Sequence, residues 1–405
     1  MGIVLLLGTL DTKGDEYRYV RDRLVDLGCD VLLVDAGILG EPTFAPDISR
    51  AEVAGAIGAD LEELGRGPDR GAAVEEMGRA AAALLAPLYR EGRFDGVMAL
   101  GGSGGATIAT HAMRALPLGV PKLLVSTVAS GDMRMYVGES DITVMHSVVD
   151  VAGINRLSER ILGNASAAMA GMVGAGVGDG EMSARPLVGA TMFGVTTPCV
   201  TRTRGLLEER GYEVAVFSAN GTGGRTMESL MEQGVVTAVL DVTTTELADE
   251  VVGGILSAGP DRLETAARLG LPQVVSLGAL DMVNFGPAET VPERFAGRTL
   301  YSHSDSVTLM RTTPEECVEV GHAIARKLNG ARGPCSVVVP LRGTSAISAE
   351  GRPFHDREAD RALFETLEDH LDHTVELIAL DLHINDPAFA TALADKLHEN
   401  SERGA

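Results

Sequence analysis

Short apolar runs that alternate with amphipathic helical segments are the feature that most restricts the fold of this chain. Residues 3–8 and 96–100 are apolar throughout, and each run is followed by a segment with apolar residues at helical spacing. Strands that are apolar on both faces and separated by helices are typical of a parallel sheet covered by helices on both sides. We therefore expect a doubly wound α/β fold.

The same order of segments begins again after residues 174–186, a glycine-rich polar stretch that we interpret as a linker. Residues 187–221 repeat the strand, helix and strand pattern of the amino terminus, and residues 298–310 are expected to match the strand in 141–149. A chain of 405 residues is long enough for two domains. The prediction is two Rossmann-like lobes, residues 1–180 and 187–405, with a cleft between them.

Charge and cysteine content exclude some classes of function. A net charge of −23 repels phosphate backbones, so we expect no general nucleic-acid binding. The four cysteines form no CxxC motif, and the amino-terminal apolar run is too short for a signal peptide or a membrane span. These features predict a cytoplasmic protein with reduced thiols and no membrane association. Cys199, at a predicted helix start, is interpreted as a buried inert thiol rather than a reactive one.

Residues 101–105, with the sequence GGSGG, lie between an apolar strand and a predicted helix. Consecutive glycines let backbone N–H groups converge, and a helix amino terminus adds partial positive charge, so this loop is predicted to bind a phosphate. The alternative is a tight turn without a ligand. The loop is not a Walker A motif, and it departs from GxGxxG because Thr107 stands where the last glycine belongs.

Other predicted strand ends carry hydroxyl and carboxylate groups, notably residues 8–14, 126–132, 220–225, 241–246 and 278–286. Helix capping explains each of them singly, because Ser, Thr and Asp are preferred caps. Together they predict a polar rim. Residues 220–225 read as a second glycine-rich anion site, with Arg225 as its cation.

Nine segments of the chain resemble one known family in order. They are GTLDTKG, LGGSGGA, PKLLVSTVASG, ATMFGVTTPCV, TGGR, LDVTTTELAD, GALDMVNFGP, LMRTT and HINDPAFA. The family is that of the ATP-binding domain of the tomato mosaic virus resistance protein and its bacterial relatives. The resemblance implies two Rossmann-like subdomains, bound ATP with magnesium, and self-association.

The residues that are expected to bind the nucleotide and the metal ion lie within or beside these motifs. The nucleotide-binding residues are expected to be Thr9, Asp11, Thr12, Lys13, Gly101, Gly102, Ser103, Gly104, Gly105, Thr127, Ser130, Gly223, Gly224 and Arg225. Lys13 is expected to contact a phosphate oxygen, with an exposed first-turn lysine as the alternative. Asp11 or Asp241 is expected to hold Mg²⁺, with helix capping as the alternative.

Two classes of function remain open. In the first, the protein is an ATP-dependent enzyme that acts on a small molecule. Its catalytic residues are then expected to be Asp241, Thr244, Glu246, Asp281, Arg311 and His383, with Thr243, Thr245 and Asn284 beside them. In the second, ATP regulates a switch or an assembly protein. An enzyme that binds another phosphorylated metabolite is a third possibility.

Self-association is also expected from the sequence itself. The predicted helix in residues 154–173 carries small residues that allow close helix contact, namely Gly163, Ala165, Ala167, Ala168 and Ala170. An acidic protein needs an apolar patch of this kind to form a stable contact with itself. We expect a homodimer or a larger homo-oligomer.

Overall fold

The computed structural model describes residues 2–66, 69–175 and 185–404. Contacts within the chain divide it into two compact units, Met1–Gly180 and Glu181–Ala405. Most of the predicted linker, residues 174–186, lies outside the described residues. Each unit contains a parallel sheet with interleaved helices, so the predicted α/β class with two Rossmann-like lobes is confirmed.

The first unit alternates strands and helices from its start. Its elements are β1 (Ile3–Gly8), α1 (Leu10–Asp26), β2 (Asp30–Asp35), α2 (Arg50–Gly55), α3 (Leu61–Arg66), α4 (Arg70–Arg90), β3 (Gly96–Gly101), α5 (Ser103–Arg114), β4 (Lys122–Ser126), α6 (Arg134–Val137), β5 (Thr143–His146) and α7 (Arg156–Gly174).

The five strands of this unit form one sheet in the order β2-β1-β3-β4-β5, and each neighbouring pair is parallel. The chain runs outward from β1 to β2 on one side and from β3 to β5 on the other. The direction therefore reverses between β1 and β3. In open α/β sheets, ligands bind outside the carboxyl ends of the strands at such a switch point.

Alternate residues of β1 show how helices cover both faces of the sheet. Val4 and Leu6 pack in one apolar cluster with residues of α1 and α7. Leu5 and Leu7 pack in a second cluster with residues of α4 and α5. All four side chains are buried, which explains why the strand is apolar at every position.

Tyr17 of α1 reaches the sheet where β1 and β3 end. Its hydroxyl donates to the Leu7 carbonyl at 2.6 Å and accepts the Leu100 N–H at 2.8 Å. Burial raises the pKa of Tyr17, so the hydroxyl stays protonated as this arrangement requires. A Cβ on Gly8 would lie 2.0 Å from the ring, so only glycine fits there. This tyrosine joins the two strands that flank the switch point.

The second unit has the same alternation with additional elements. They are β6 (Leu187–Met192), α8 (Thr197–Glu209), β7 (Glu213–Ser218), α9 (Thr222–Glu232), β8 (Ala238–Thr243), α10 (Thr245–Val252), α11 (Thr265–Leu269), β9 (Gln273–Gly278), β10 (Met282–Phe285), β11 (Leu300–Ser304), β12 (Val307–Arg311), α12 (Pro314–Leu328), β13 (Cys335–Pro340), α13 (Arg357–His370), β14 (Glu376–Leu380) and α14 (Pro387–Gly404).

The main sheet of the second unit has the order β14-β13-β9-β8-β6-β7. The predicted match of residues 298–310 to the strand in 141–149 is wrong. Those residues form β11 and β12, an antiparallel pair that joins β10 in a separate sheet, and β13 lies beside β9 instead. The error has a physical reason. Both β5 and β11 are edge strands with exposed residues, and an edge strand has a similar sequence whether its sheet is parallel or antiparallel.

Candidate functional site

A cavity of about 300 Å³ lies at the switch point of the first unit. We call it the switch-point cavity. Two loops that the sequence predicted to bind nucleotide contribute to its wall: Thr9, Asp11, Thr12 and Lys13 from the start of α1, and Gly101–Gly105 from the end of β3 and the start of α5. The structure thus brings together residues that lie about ninety positions apart in the chain.

The start of α5 presents backbone amides at this cavity. The helix begins at Ser103. Its N-cap residue is Gly102, which has no side chain that could bond to the amides of the first turn. The first amides of an α-helix have no partner within the helix, and they carry the positive end of its dipole. Gly104 and Gly105 follow Ser103, so two positions of the first turn have no side chain larger than a hydrogen. The arrangement suits an anionic oxygen.

Lys13 supplies a cation beside these amides. It lines the cavity, and its Nζ donates to the carbonyl of Val151. Its backbone departs from helical geometry, with φ −129° and ψ 23°. The side chain is only partly exposed, so the alternative of a freely exposed first-turn lysine does not describe it.

Asp11 has two different carboxylate oxygens. Oδ2 accepts the N–H groups of Leu39 and Gly40 at 2.9 and 3.1 Å, which fixes the segment after β2 against the cavity. Oδ1 is buried and has no hydrogen-bond partner among the described residues. An unpaired buried carboxylate oxygen is costly unless a cation, a proton or water satisfies it. Asp11 therefore fits a magnesium ligand better than a simple helix cap.

The remaining wall of the cavity is largely aliphatic, and the sequence did not point to it. This part of the wall is formed by Ile38, Leu39, Leu64, Ala73, Val74 and Ile108. Arg70, at the start of α4, adds a cation. The cavity thus has a polar part suited to phosphate and an apolar part suited to an organic group, which is the usual composition of a small-molecule site.

Thr127 and Ser130 are near this region without lining the cavity. The Thr127 hydroxyl lies 3.8 Å from the position that a Cβ on Gly102 would occupy. The Ser130 hydroxyl donates to the Thr127 carbonyl at 3.2 Å. Their predicted contact with a nucleotide stays a prediction.

The second unit places Asp241 in a buried ion pair. Arg262 donates to both oxygens of Asp241, at 2.6 and 2.7 Å, and the Thr191 hydroxyl donates to Oδ1 at 2.6 Å. Both members of the pair are at most 2% exposed. Both oxygens of the Asp241 carboxylate thus have partners within the protein, and its predicted roles in magnesium binding and catalysis stay predictions.

Glu246 contacts the segment of residues 220–225, which was predicted to be a second anion site. Its Oε1 accepts the N–H groups of Gly221 and Gly224 at 2.6 and 3.2 Å, while Oε2 accepts from Arg262 at 2.7 Å. The Gly223 N–H donates to Asn220. The amides that resembled a phosphate cradle are thus occupied by a carboxylate of the protein itself. The N–H groups of Gly223 and Gly224 therefore have partners within the protein, and the predicted nucleotide contact of Gly223, Gly224 and Arg225 stays a prediction.

Asp281 and Arg311 also belong to a buried polar network. Asp281 accepts from the hydroxyls of Thr344 and Ser345 at 2.9 and 2.7 Å. Burial raises its pKa, and the nearby Arg311 opposes that rise. Arg311 donates to the carbonyl of Phe354 at 2.9 Å and forms an ion pair with Asp360. These contacts account for both residues as supports of the fold.

The other candidates of the second unit have local partners as well. Thr244 donates to the Ser276 carbonyl at 3.0 Å, and a ring nitrogen of His383 lies 2.9 Å from the Ser345 carbonyl. Burial raises the pKa of Cys199 to about 12, which agrees with an inert thiol. The neighbouring residues Thr243, Thr245 and Asn284 are fully buried. His383, however, is partly exposed and lines a second cavity of this unit, and the catalytic role predicted for these residues stays a prediction.

Two residues with notable contacts, Arg262 and Asp35, were not predicted from the sequence. Arg262 lies in an irregular segment between α10 and α11, and no motif marks it. Asp35 ends β2 and is fully buried, with one carboxylate oxygen that has no partner among the described residues. Its position was a usable signal, because an acidic residue at the end of the second strand often contacts the ligand of a Rossmann-type fold.

Comparison with known proteins decides the family. Residues 2–177 match the model described as "Uncharacterised protein family (UPF0261) N-terminal domain", and residues 185–401 match that of the corresponding C-terminal domain. The chain belongs to the UPF0261 family. A UPF0261 protein from Clostridium tetani is 50% identical to it over 401 residues, which cover 99% of each chain. The resemblance inferred from the sequence motifs is thereby confirmed.

The tomato ToMV resistance protein Tm-1(GCR237), from Solanum lycopersicum, is 40% identical to this UPF0261 chain over 429 residues. The match covers 99% of this chain and 56% of the tomato protein. Virus resistance, which the name of the tomato protein describes, is not extended to this chain. Among solved structures, a UDP-N-acetylglucosamine 2-epimerase from Rickettsia bellii covers 98% of this chain and 95% of its own, at 10% identity. Its TM-score of 0.22 is too low to support any inference.

The described residues contain neither a candidate membrane span nor a cluster of metal-binding side chains. No helix in residues 2–66, 69–175 or 185–404 is long and apolar enough to cross a membrane. Within the same ranges, no group of three or more His, Cys, Asp or Glu side chains could hold a metal ion. Magnesium does not require such a group, because it binds through one or two carboxylates together with water and phosphate.

Proposed function

We propose that the first unit binds ATP with Mg²⁺ in the switch-point cavity. The observation that supports this most strongly is the convergence of the α5 amino terminus, Lys13 and Asp11 on one cavity at the carboxyl ends of β1 and β3. Helix amides and a lysine suit phosphate oxygens, and the aliphatic part of the wall suits the nucleoside. ATP is the nucleotide that the family resemblance implies.

Asp11 is the residue of the cavity that fits the magnesium ion. Its Oδ2 is engaged by two backbone amides and its Oδ1 is unpaired, so one oxygen remains for the ion or for water bound to it. When bound, Mg²⁺ neutralises charge on the phosphate oxygens. Lys13 and the α5 amides hold those oxygens from the protein side.

Side-chain variants at the cavity should have graded effects on nucleotide affinity. Ser103→Ala should weaken ATP binding by about 0.5–1.5 kcal/mol, because it removes one neutral hydrogen bond and leaves the amides in place. Lys13→Ala should weaken it more, because a charged contact is lost. Calorimetric titration with ATP and Mg²⁺ measures both, and Arg21→Ala, on the exposed face of α1, is the control. Unchanged affinity in Lys13→Ala would show that Lys13 does not contact the phosphate.

We further propose that the nucleotide serves an ATP-dependent reaction on a small molecule. One observation favours the second candidate, a regulated switch. Five of the six residues that were predicted to be catalytic are buried and have partners within the protein, namely Asp241, Thr244, Glu246, Asp281 and Arg311. Phosphate release from ATP distinguishes the enzyme from the switch. It is measured with and without the small molecules that co-purify with the protein, and only the enzyme should release more phosphate when its substrate is present. Mass spectrometry of the co-purified ligand also tests the third possibility, a different phosphorylated metabolite.

We also propose that the protein self-associates through α7. Ala167 and Ala168 are exposed on this helix, and Leu157 is 53% exposed, whereas Ala165 packs inside the unit. Ala168→Arg should therefore convert a dimer or larger oligomer into monomer, and Ala51→Arg, an exposed position on α2, should not. Sedimentation measures the difference. A wild-type protein that is monomeric at micromolar concentration would contradict the proposal.

A further inference from the structure

Asp35 and Asp11 share an unusual pattern of contacts. Asp35 is fully buried, and its Oδ1 accepts the N–H groups of Leu10 and Gly37 at 3.1 and 2.9 Å. Its Oδ2 is buried and has no partner among the residues that the structure describes. In Asp11 the pattern repeats, with one oxygen bound to two amides and the other buried and unpaired. Each carboxylate thus holds the backbone with one oxygen and leaves the other unsatisfied.

The two carboxylates lie on either side of Gly37. The N–H of Gly37 donates to Asp35, and a Cβ on the same residue would lie 2.8–3.1 Å from the carboxylate atoms of Asp11. Two carboxylates that contact the same buried glycine are costly unless a positive group lies with them.

Among the described residues, no positive side chain bonds to either of the two unpaired oxygens. Lys13 donates to the Val151 carbonyl, and the Arg50 guanidinium is paired with Glu41. The two orphaned oxygens therefore still lack a partner. Asp11 lines the switch-point cavity, so a cation held by the pair would lie beside the proposed phosphate site.

We infer that Asp11 and Asp35 together form a seat for one divalent cation, which they hold through Asp11 Oδ1 and Asp35 Oδ2 either directly or through water. The chemistry fits Mg²⁺, which takes oxygen ligands, needs few carboxylates and completes its shell with water and phosphate. The inference rests on the proposed function for the phosphate that joins the shell. Cation binding by the pair does not itself require nucleotide, so the two are tested separately.

The test is a titration of the full chain with Mn²⁺, followed by the electron paramagnetic resonance signal of free Mn²⁺. One Mn²⁺ should bind per wild-type chain, and ATP should tighten its binding. Loss of even a hydrogen-bonding partner of a metal ligand costs roughly 10–100-fold in affinity, so Asp35→Asn should weaken Mn²⁺ binding at least about tenfold. Asp30→Asn, at the exposed start of the same strand, should leave it unchanged.

The Asp35→Asn variant must be folded for its Mn²⁺ affinity to test the cation seat. Asparagine at 35 retains an acceptor oxygen for Leu10 and Gly37, and circular dichroism with thermal melting checks that the variant folds. If it does not fold, Asp11→Asn, a partly exposed position, decides by the same titration. Unchanged Mn²⁺ affinity in a folded variant would overturn the inference and leave a shared proton or water on the pair. If the wild-type protein binds ATP in EDTA and the folded variants keep their Mn²⁺ affinity, only the cation seat is refuted. If the wild-type protein binds no ATP under any condition, the proposed function is refuted.

Discussion

Valine in place of Gly104 should nearly abolish nucleotide binding while the protein remains folded. A Cβ at Gly104 would lie 3.7 Å from Cγ2 of Val74, an ordinary contact at the wall of the switch-point cavity. The branched side chain would then occupy the space in which a phosphate approaches the α5 amides. Loss of two hydrogen bonds to a charged group, at about 1.5–3 kcal/mol each, corresponds to at least about a hundredfold loss of affinity.

The fold should tolerate this change for two reasons. Gly104 does not have a positive φ, and valine is a better helix former than glycine. Gly102→Val should have the same effect, because its backbone is extended and its Cβ position is open. The matched control is Gly205→Val in α8, where a Cβ would meet nothing within 4 Å. Folded Gly102 and Gly104 variants that bind ATP with wild-type affinity in calorimetry would show that the loop is only a turn.

Methionine in place of Arg262 should destabilise the second unit by about 3–5 kcal/mol, because it leaves buried carboxylates without their cation. Arg262 is 2% exposed and contacts Asp241, Glu246 and Glu228. Urea unfolding followed by circular dichroism measures the loss.

The control is Arg268→Met, which breaks an ion pair to Glu232 whose side chains are 52% and 46% exposed. Exposed pairs contribute about 0–1 kcal/mol, so this variant should remain near wild type. The opposite result would be an Arg262→Met variant that is as stable in urea as the control but no longer binds ATP. That result would place Asp241 and Glu246 in a functional site.

The position of the cavity could be predicted from sequence because it depends on chain order. A glycine-rich loop after one strand and a polar loop after another both lie at the carboxyl ends of a parallel sheet. Residues 9–13 and 101–105 satisfy that rule, and the structure brings them to one cavity. The aliphatic wall could not be predicted in this way, since most of it comes from α3, α4 and the segment after β2, and only Ile108 comes from α5.

The partners of the candidate residues in the second unit could not be predicted, because they lie far away in the sequence. The amides of Gly221 and Gly224 have the pattern of an anion site, and they do bind an anion, but it is Glu246, more than twenty positions later. No local signal shows that this carboxylate folds back onto those amides. The same holds for Asp241, whose partner Arg262 lies in an irregular segment.

The most direct test of the nucleotide site is a crystal structure of the full chain grown with Mg²⁺ and a non-hydrolysable ATP analogue. We expect phosphate oxygens within hydrogen-bonding distance, about 2.7–3.2 Å, of the backbone nitrogens of Ser103, Gly104 or Gly105. We also expect the ammonium group of Lys13 to lie beside these oxygens. An analogue bound elsewhere in the chain, with no phosphate at the start of α5, would contradict it.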